Sequence, residues 1–422
     1  MSGRLRSEAS HAVRLLNVAI RGATLGGRFL FIFFLARFIA PEQLGLYGLF
    51  TATVGYSLYL LGFDFYTYTT REILKIDRSG WGGMLKSQVA LSMLLYAVFL
   101  PLLSLLFFTD VLPFDLAAWF FVILVLEHIN QELSRLLVAI SEQLLASIGL
   151  FLRQGAWAIG VVVLMLADSS TRTLHYVFGA WTLAGVLTVV LSLHWLGRIR
   201  MGGWQSKIDW AWIGKGLKVC IPLLGATLAL RGLFTLDRYW LQELGGLEVV
   251  GAYVLFFGIS GTLMAFLDAG VFAYSYPRLI RAAHGKDPLD FRIGVRKLFS
   301  HTCYVSIGFS MVSLLLLSPL LQWIGKPWYL EQKALYPWLL LAMVVNAIGM
   351  VPHYALYAMG KDRPIIVSHV ASIVVFVAVT WLFGSVLPVL AVPIGLCVAF
   401  LFVLAWKTLA YFKLTPGSYR AL

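Results

Sequence analysis

Residues 22–28 read Gly-Ala-Thr-Leu-Gly-Gly-Arg, and residues 225–231, 203 positions later, read Gly-Ala-Thr-Leu-Ala-Leu-Arg. A second pair follows in the same order, Leu-Gly-Leu-Tyr-Gly-Leu-Phe at 44–50 and Val-Gly-Ala-Tyr-Val-Leu-Phe at 250–256, at an offset of 206. An aspartate comes after each second stretch at nearly the same offset: Asp64 and Asp268. Three matches in one order at nearly one offset indicate an internal duplication, with two similar halves in one chain.

The composition indicates that both halves lie in a membrane. Of 422 residues, 60% are hydrophobic and 13% are charged, and the mean hydropathy is +0.84. Since a soluble domain carries about 25% charged residues and a membrane-crossing helix needs about 20 apolar ones, the chain can supply about a dozen such helices and no soluble domain. Apolar windows between polar breaks predict twelve spans: roughly 14–39, 43–64, 87–109, 116–138, 148–167, 174–196, 217–239, 249–272, 299–318, 334–358, 365–384 and 387–406.

The predicted fold is an all-α polytopic membrane protein with twelve transmembrane helices in two pseudo-symmetric six-helix bundles. We predict lobe boundaries at residues 1–200 and 201–422. An even number of spans per half makes the repeats parallel in the membrane. The three cysteines lie far apart without a Cys-x-x-Cys neighbour, so neither a disulfide framework nor a metal site is predicted.

The basic residues predict the orientation. Of 33 Lys and Arg, 25 fall on the N-terminal arm, the alternate loops that share its side and the C-terminal tail, five fall on the opposite side, and three lie inside spans. Excess Lys and Arg are typical of the cytoplasmic side, so both termini are predicted to be cytoplasmic. The net charge of +13 is therefore mainly an orientation signal, and no nucleic-acid partner is expected.

Arginines recur at helical spacing inside two corresponding spans. In the first span, Arg21, Thr24 and Arg28 share one stripe, because seven residues turn a helix through about 700°. The seventh span repeats the pattern with the following residues: Thr227, Arg231 and Arg238. An arginine at the bilayer centre costs several kcal/mol, so these side chains are expected to face protein or water.

Two interpretations of these arginines are open. In one, they line a water-filled cationic cavity that binds an anionic cargo, because the planar guanidinium forks bind phosphate bidentately. In the other, they pair with carboxylates that serve as counter-ions or coupling sites: Asp64, Asp237 and Asp268. The Gly26-Gly27 pair and Pro222 are expected to loosen the two helices near the site.

A second polar cluster lies in the fourth span. It comprises Glu127, His128, Glu132 and Arg135, of which His128–Glu132 and Glu132–Arg135 are helix neighbours that can neutralise each other. The order is not the His-Glu-x-x-His of a zinc hydrolase, so a helix-packing or gate network is predicted. His353, beside Pro352 in the tenth span, is interpreted as a core histidine at a kink.

Motifs of soluble catalysis are missing from the sequence. It contains no Gly-x-x-x-x-Gly-Lys-Ser/Thr and no Gly-x-Ser-x-Gly, and its outer loops are short. The chain is therefore predicted not to be an enzyme and to need no cofactor. An integral-membrane enzyme acting on polyprenyl-phosphate sugars stays the alternative from a different class.

The loop at 35–48, Leu-Ala-Arg-Phe-Ile-Ala-Pro-Glu-Gln-Leu-Gly-Leu-Tyr-Gly, resembles the first-loop signature of the polysaccharide biosynthesis (Wzx-type) flippases of the multidrug/oligosaccharidyl-lipid/polysaccharide (MOP) exporter superfamily. The exit of the second span (61–72) and the stretch 236–253 also resemble that family. The resemblance covers essentially the whole chain in span count, orientation and two-lobed plan.

The resemblance implies a MATE-like pair of six-helix bundles that works by alternating access. The implied cargo is an undecaprenyl-pyrophosphate-linked glycan, such as an O-antigen (lipopolysaccharide) or exopolysaccharide repeat unit, moved across a bacterial inner membrane. By position, Arg21, Arg28 and Arg231 would hold its anionic groups. A polysaccharide polymerase that consumes the flipped unit would be a further partner. The alternative within the superfamily is a cation-coupled multidrug exporter, for which an acidic or aromatic pocket is expected.

Overall fold

A computed structural model describes residues 2–199 and 201–421, with side chains from residue 16 onward except at 200, 223 and 226. Within this part of the chain the secondary structure is helical without strands, and eleven segments are long and apolar enough to span a membrane. One of them, Thr227–His284, has 58 residues, which would extend about 87 Å as one helix against a hydrocarbon core of about 30 Å. It breaks at Gly246 (φ 79°, ψ 174°) into two, so the predicted twelve-span fold is confirmed.

Contacts between residues divide the chain into two compact units. The first contains the described residues up to Phe38 and Leu49–Leu228, and the second contains Ile39–Gly48 and the chain from Ala229. Two helices contribute to both units: α2 (Pro41–Gly62) and α9 (Trp210–Leu267). The other helices of the first unit are α1 (Ser2–Phe38), α3 (Tyr66–Ile73), α4 (Trp81–Phe108), α5 (Ala117–Ala139), α6 (Gln143–Phe151), α7 (Trp157–Ala167) and α8 (Leu174–Arg198). Those of the second are α10 (Ala273–His284), α11 (Pro288–Ile324), α12 (Pro327–Glu331), α13 (Leu335–Ala358), α14 (Asp362–Gly384) and α15 (Pro388–Leu414).

The helix ends have local causes in the sequence. Pro288 starts α11 at a position that needs no N–H donor, and the Asp287 side chain caps it by accepting from the Asp290 N–H at 3.0 Å. Gly325, in the left-handed conformation at φ 75°, ends the same helix. Asp64 is also left-handed (φ 51°), in the turn that ends α2 and leads into α3.

The duplicated motif packs against its own copy. A Cβ on Gly45 would overlap the Leu247 carbonyl oxygen and lie 3.1 Å from the Gly251 nitrogen, and a Cβ on Gly251 would overlap the Pro41 carbonyl oxygen and lie 3.3 Å from the Gly45 nitrogen. The contacts are reciprocal: Gly45 meets Leu247, and Gly251 meets Pro41. The offset of 206 found in the sequence makes 45 the equivalent of 251 and 41 the equivalent of 247. Small residues permit such close helix approach in a membrane.

Two details differ from the sequence-based expectation. The helix α1 continues through Gly26 and Gly27, and α9 continues through Pro222, so neither the glycine pair nor the proline interrupts its helix. The irregular turns lie elsewhere: a π-turn at Leu152–Ala156 joins α6 to α7, and another at Asp268–Phe272 joins α9 to α10. Single π-turns inside helices are frequent at functional sites.

The orientation count also needs correction at two residues. Arg153 lies inside the span Gln143–Ala167 and Lys407 inside Pro388–Leu414, and both are buried, although the count assigned them to the cytoplasmic side. The asymmetry persists without them. The cytoplasmic position of the termini stays a prediction, and the side chains of the basic arm, residues 1–15, lie outside the described part.

Candidate functional site

Two arginines of α1 point at two polar side chains of the fifth span. The Arg21 Nε donates to the Ser147 Oγ at 3.2 Å, and the Arg28 Nη1 donates to the Gln154 Oε1 at 2.9 Å. Each partner is 126 positions from its arginine, so the two helices run parallel with the same seven-residue spacing. Gln154 lies in the π-turn at Leu152–Ala156.

Thr24 lies between the two arginines on α1, and its side chain packs inside the first unit. Its side chain is buried, and its Oγ1 donates to the Ile20 carbonyl of the same helix at 2.8 Å. The two helices are close here, because a Cβ on Gly155 would lie 3.0 Å from the Thr24 Cα. The close approach brings Arg21 and Arg28 within reach of their partners.

Arg21 and Arg28 are both exposed, and their hydrogen-bond partners among the described side chains are neutral. Among the residues whose side chains are described, neither Arg21 nor Arg28 forms an ion pair. The predicted alternative, a pair between Arg28 and Asp64, is therefore not formed in this part of the chain. Asp64 lies instead in the turn after α2, where its carbonyl accepts from the Thr67 Oγ1 at 2.9 Å.

In the second unit, Arg238 has a carboxylate partner. The Arg238 Nη1 lies 3.3 Å from the Oδ1 of Asp237, which is completely buried, and the Tyr253 hydroxyl donates to the Asp237 Oδ2 at 2.5 Å. The guanidinium also lies over the Phe257 ring at 5.0 Å. Asp237 thus acts as a counter-ion, and Arg238 is the neutralised member of a buried network.

The other candidates of the second half lie at separate positions along α9 and in the turn that follows it. The Arg231 carbonyl accepts from the Thr235 Oγ1 at 3.1 Å, one turn further along α9. Thr227 belongs to the first contact unit, whereas Arg231 belongs to the second. Asp268 is exposed and opens the second π-turn.

The polar cluster of the fourth span divides into two groups. Glu127 binds residues that the sequence did not connect with it: its Oε2 lies 3.4 Å from the Arg153 Nε, and its Oε1 accepts from the Trp181 Nε1 at 2.8 Å. Trp181 stacks on Trp157 at 5.6 Å and 5°. The Glu127 and Arg153 side chains are only 8% and 9% exposed, so this is a buried, paired charge.

The second group lies beside a cavity in the first unit. The Glu132 carboxylate accepts from the Arg135 Nη1 at 2.6 Å and from the Gln88 Nε2 at 2.5 Å, while His128 bonds to the Tyr96 hydroxyl at 2.6 Å instead of to Glu132. Glu132, Arg135 and Gln88 lie on the wall of a mainly apolar cavity of about 460 Å³. Its volume is in the range of small-molecule sites.

Tyr66 is also part of the cavity wall. The Arg135 guanidinium lies 3.5 Å from the centroid of its ring. Burial raises the pKa of the Tyr66 phenol, and the positive charge of Arg135 opposes part of that rise. The predicted gate network is thus a stacked and hydrogen-bonded group, with Glu132 already neutralised by Arg135.

The fold defined by these helices is that of the MATE-type transporters. A multidrug resistance MATE family transporter of the MOP superfamily, in an inward-facing conformation, aligns with a TM-score of 0.76 at 14% identity, covering 95% of this chain and 98% of the other. An outward-facing structure of such a transporter has a TM-score of 0.64 at 14% identity, covering 96% and 94%. A MATE transporter of Vibrio cholerae in the bent form has a TM-score of 0.58 at 13% identity, covering 94% and 98%.

These likenesses establish the fold. No protein-family model and no curated protein matches the sequence. The structural likenesses confirm the predicted MATE-like fold, and the resemblance to Wzx-type flippases stays a prediction.

Proposed function

We propose that the chain is a transporter that moves a lipid-linked oligosaccharide carrying phosphate groups across the membrane. The observation that carries the proposal is a pair of exposed arginines on α1, Arg21 and Arg28, whose partners among the described side chains are neutral. The MATE-type fold supports transport as the general activity.

The neutral partners leave both cations available to a ligand. A hydrogen bond from a guanidinium to a hydroxyl or carboxamide is weaker than one to an anion, because charge-assisted bonds are about twice as strong. An arriving phosphate can therefore replace Ser147 or Gln154 at a net gain. When it leaves, the side chains return to these partners, so the empty site does not hold two unsatisfied guanidiniums.

The spacing of the two arginines indicates an extended ligand. Seven residues of α-helix separate them by about 10 Å along the axis, which exceeds the reach of one phosphate group. A pyrophosphate followed by sugars that bear hydroxyl or acidic groups can contact both. This supports a cargo with a pyrophosphate head and a glycan, as the flippase resemblance implies.

The test is the transfer rate of a fluorescent undecaprenyl-pyrophosphate oligosaccharide in proteoliposomes, followed by dithionite reduction of the exposed fluorophore. We expect Arg28→Ala to lower the rate about 10- to 100-fold, because a hydrogen bond to a charged group contributes about 1.5–3 kcal/mol. Arg28→Lys keeps the positive charge and loses the planar, forked N–H donors of the guanidinium, so it should recover part of the rate.

The matched control is Arg198→Ala. Arg198 is also exposed, and it lies over the Trp195 ring at 5.0 Å near the end of α8. This variant should transfer the lipid at the wild-type rate. A wild-type rate for Arg28→Ala in protein that reconstitutes normally would overturn the cationic-site proposal.

A second candidate, export of amphipathic drugs, has its own support. The cavity beside Glu132 and Arg135 has the volume of a drug site, its walls are mainly apolar, and the structures with the same fold include multidrug transporters. Its test is ethidium efflux from the same proteoliposomes. Efflux that persists in Arg28→Ala and is lost when Leu136 in the cavity wall is replaced by Trp would favour this candidate.

A further inference from the structure

Three nitrogen side chains form a group around one buried amine in the second unit, and none of them is paired with a carboxylate among the described residues. Lys407 of α15 is only 2% exposed, and its Nζ lies 3.2 Å from the Nδ1 of His353 on α13 and 2.9 Å from the Nε2 of His369 on α14. The two imidazoles are stacked, with ring centres 6.1 Å apart and an angle of 22°. The three helices that contribute these residues pack against one another.

Few charged side chains, among those described, lie near Lys407, His353 and His369. The charged or titratable groups that act on His353 are Lys407 and His369, and Lys407 also acts on His369. The Tyr354 ring borders His353 at 5.5 Å from the adjacent position on α13. Within the described part of the chain, Lys407 forms no ion pair with a carboxylate.

A permanent cation here would be costly. An unpaired buried ion costs several kcal/mol even after relaxation, and Lys407 lies about 10 Å inside the end of α15. Its ammonium form can donate to both ring nitrogens, and its neutral amine form has two N–H groups that can do the same. The hydrogen bonds therefore survive the loss of one proton, which removes the buried charge.

The histidines also provide a route for that proton. Both imidazoles are partly exposed, whereas Lys407 is not, so each ring connects the buried nitrogen with the outside of the unit. A stacked pair of rings at hydrogen-bond distance from one amine is suited to sharing a proton among three nitrogens.

We propose that Lys407, His353 and His369 form a proton-binding site that loads and releases one proton. The loaded site carries one positive charge and the empty site is neutral; the proton is taken from water and returned to water, and no other bond changes. In the proposed site Lys407 donates to both rings in either form, so that His353 carries its proton on Nε2 and His369 carries its proton on Nδ1. The proposal does not depend on which cargo is transported.

The test is ¹⁵N-histidine NMR of the full-length protein in lipid nanodiscs, from pH 9 to pH 5. The signals of the two rings are assigned with His353→Asn and His369→Asn. We expect the two stated tautomers at high pH and one transition that both rings share. The ring of His175, which accepts from the Trp119 Nε1 in the other unit, is the internal control.

The variant Lys407→Gln keeps a donor and removes the group that takes up the proton. We expect it to abolish the shared transition and to leave the His175 signal unchanged. Lys407→Arg, with a fixed charge, should do the same and is used if the glutamine variant does not reconstitute. Absence of a shared transition in the wild type, or the same transition in a folded Lys407 variant, would overturn the proposal.

Discussion

Replacing Gly45 with alanine is expected to destabilise the protein by at least the upper end of the about 1–3 kcal/mol that overpacking costs. The added Cβ would overlap the Leu247 carbonyl oxygen, which belongs to backbone and cannot turn away as a side chain could. Gly251→Ala should cost a similar amount, because its Cβ would overlap the Pro41 carbonyl oxygen in the reciprocal contact. The free energy of unfolding is measured by SDS titration in mixed micelles.

The matched control is Gly55→Ala in the same helix, α2. No atom lies within 4 Å of the position that its Cβ would take. Since alanine is the better helix former, this variant should be neutral or gain up to about 1 kcal/mol. Equal effects of Gly45→Ala and Gly55→Ala would contradict the close packing of the two motif copies.

The second large effect concerns the buried pair of Glu127 and Arg153. We expect Arg153→Met to lower the free energy of unfolding by about 3–5 kcal/mol, because it leaves the Glu127 carboxylate buried without its cation. The double variant Glu127→Gln with Arg153→Met should recover most of this loss, since the carboxamide can still accept from the Trp181 Nε1. The measurement is the same SDS titration.

The exposed pair of Lys75 and Glu72 provides the comparison. Its side chains are 65% and 24% exposed, and their N–O distance is 2.6 Å. Lys75→Met should change the free energy of unfolding by less than about 1 kcal/mol, because water screens such pairs. If Arg153→Met were as mild as Lys75→Met, the Glu127–Arg153 pair would not be the buried contact described here.

Several site residues could not be predicted from the sequence. Ser147 and Gln154 are ordinary polar residues in an apolar span, and only the parallel packing of α1 against that span makes them partners of Arg21 and Arg28. The sequence signal that could have found them is their shared spacing of seven, which equals that of the arginines.

Arg153 and Lys407 show a second limit of prediction from the sequence. Each lies near the end of a predicted span, where a basic residue ordinarily extends to the cytoplasmic surface, so counting by loops assigned both to that surface. Their burial depends on partners from other helices, Glu127 for Arg153 and two histidines for Lys407. His353, interpreted from the sequence as a core histidine, is partly exposed, and the sequence did not predict Lys407 as its partner.

By itself, the sequence determined the twelve spans and the duplication, because hydropathy and motif spacing are properties of the chain read in order. In the structure the two copies of the duplicated motif pack against each other at Gly45 and Gly251. Only the tertiary structure decided which charges are neutralised: Arg238 by Asp237, Arg153 by Glu127, and Arg21 and Arg28 by no acid within the described residues. The reason is that an ion pair depends on distances of a few ångströms between helices, and these distances are set by packing, not by position along the chain.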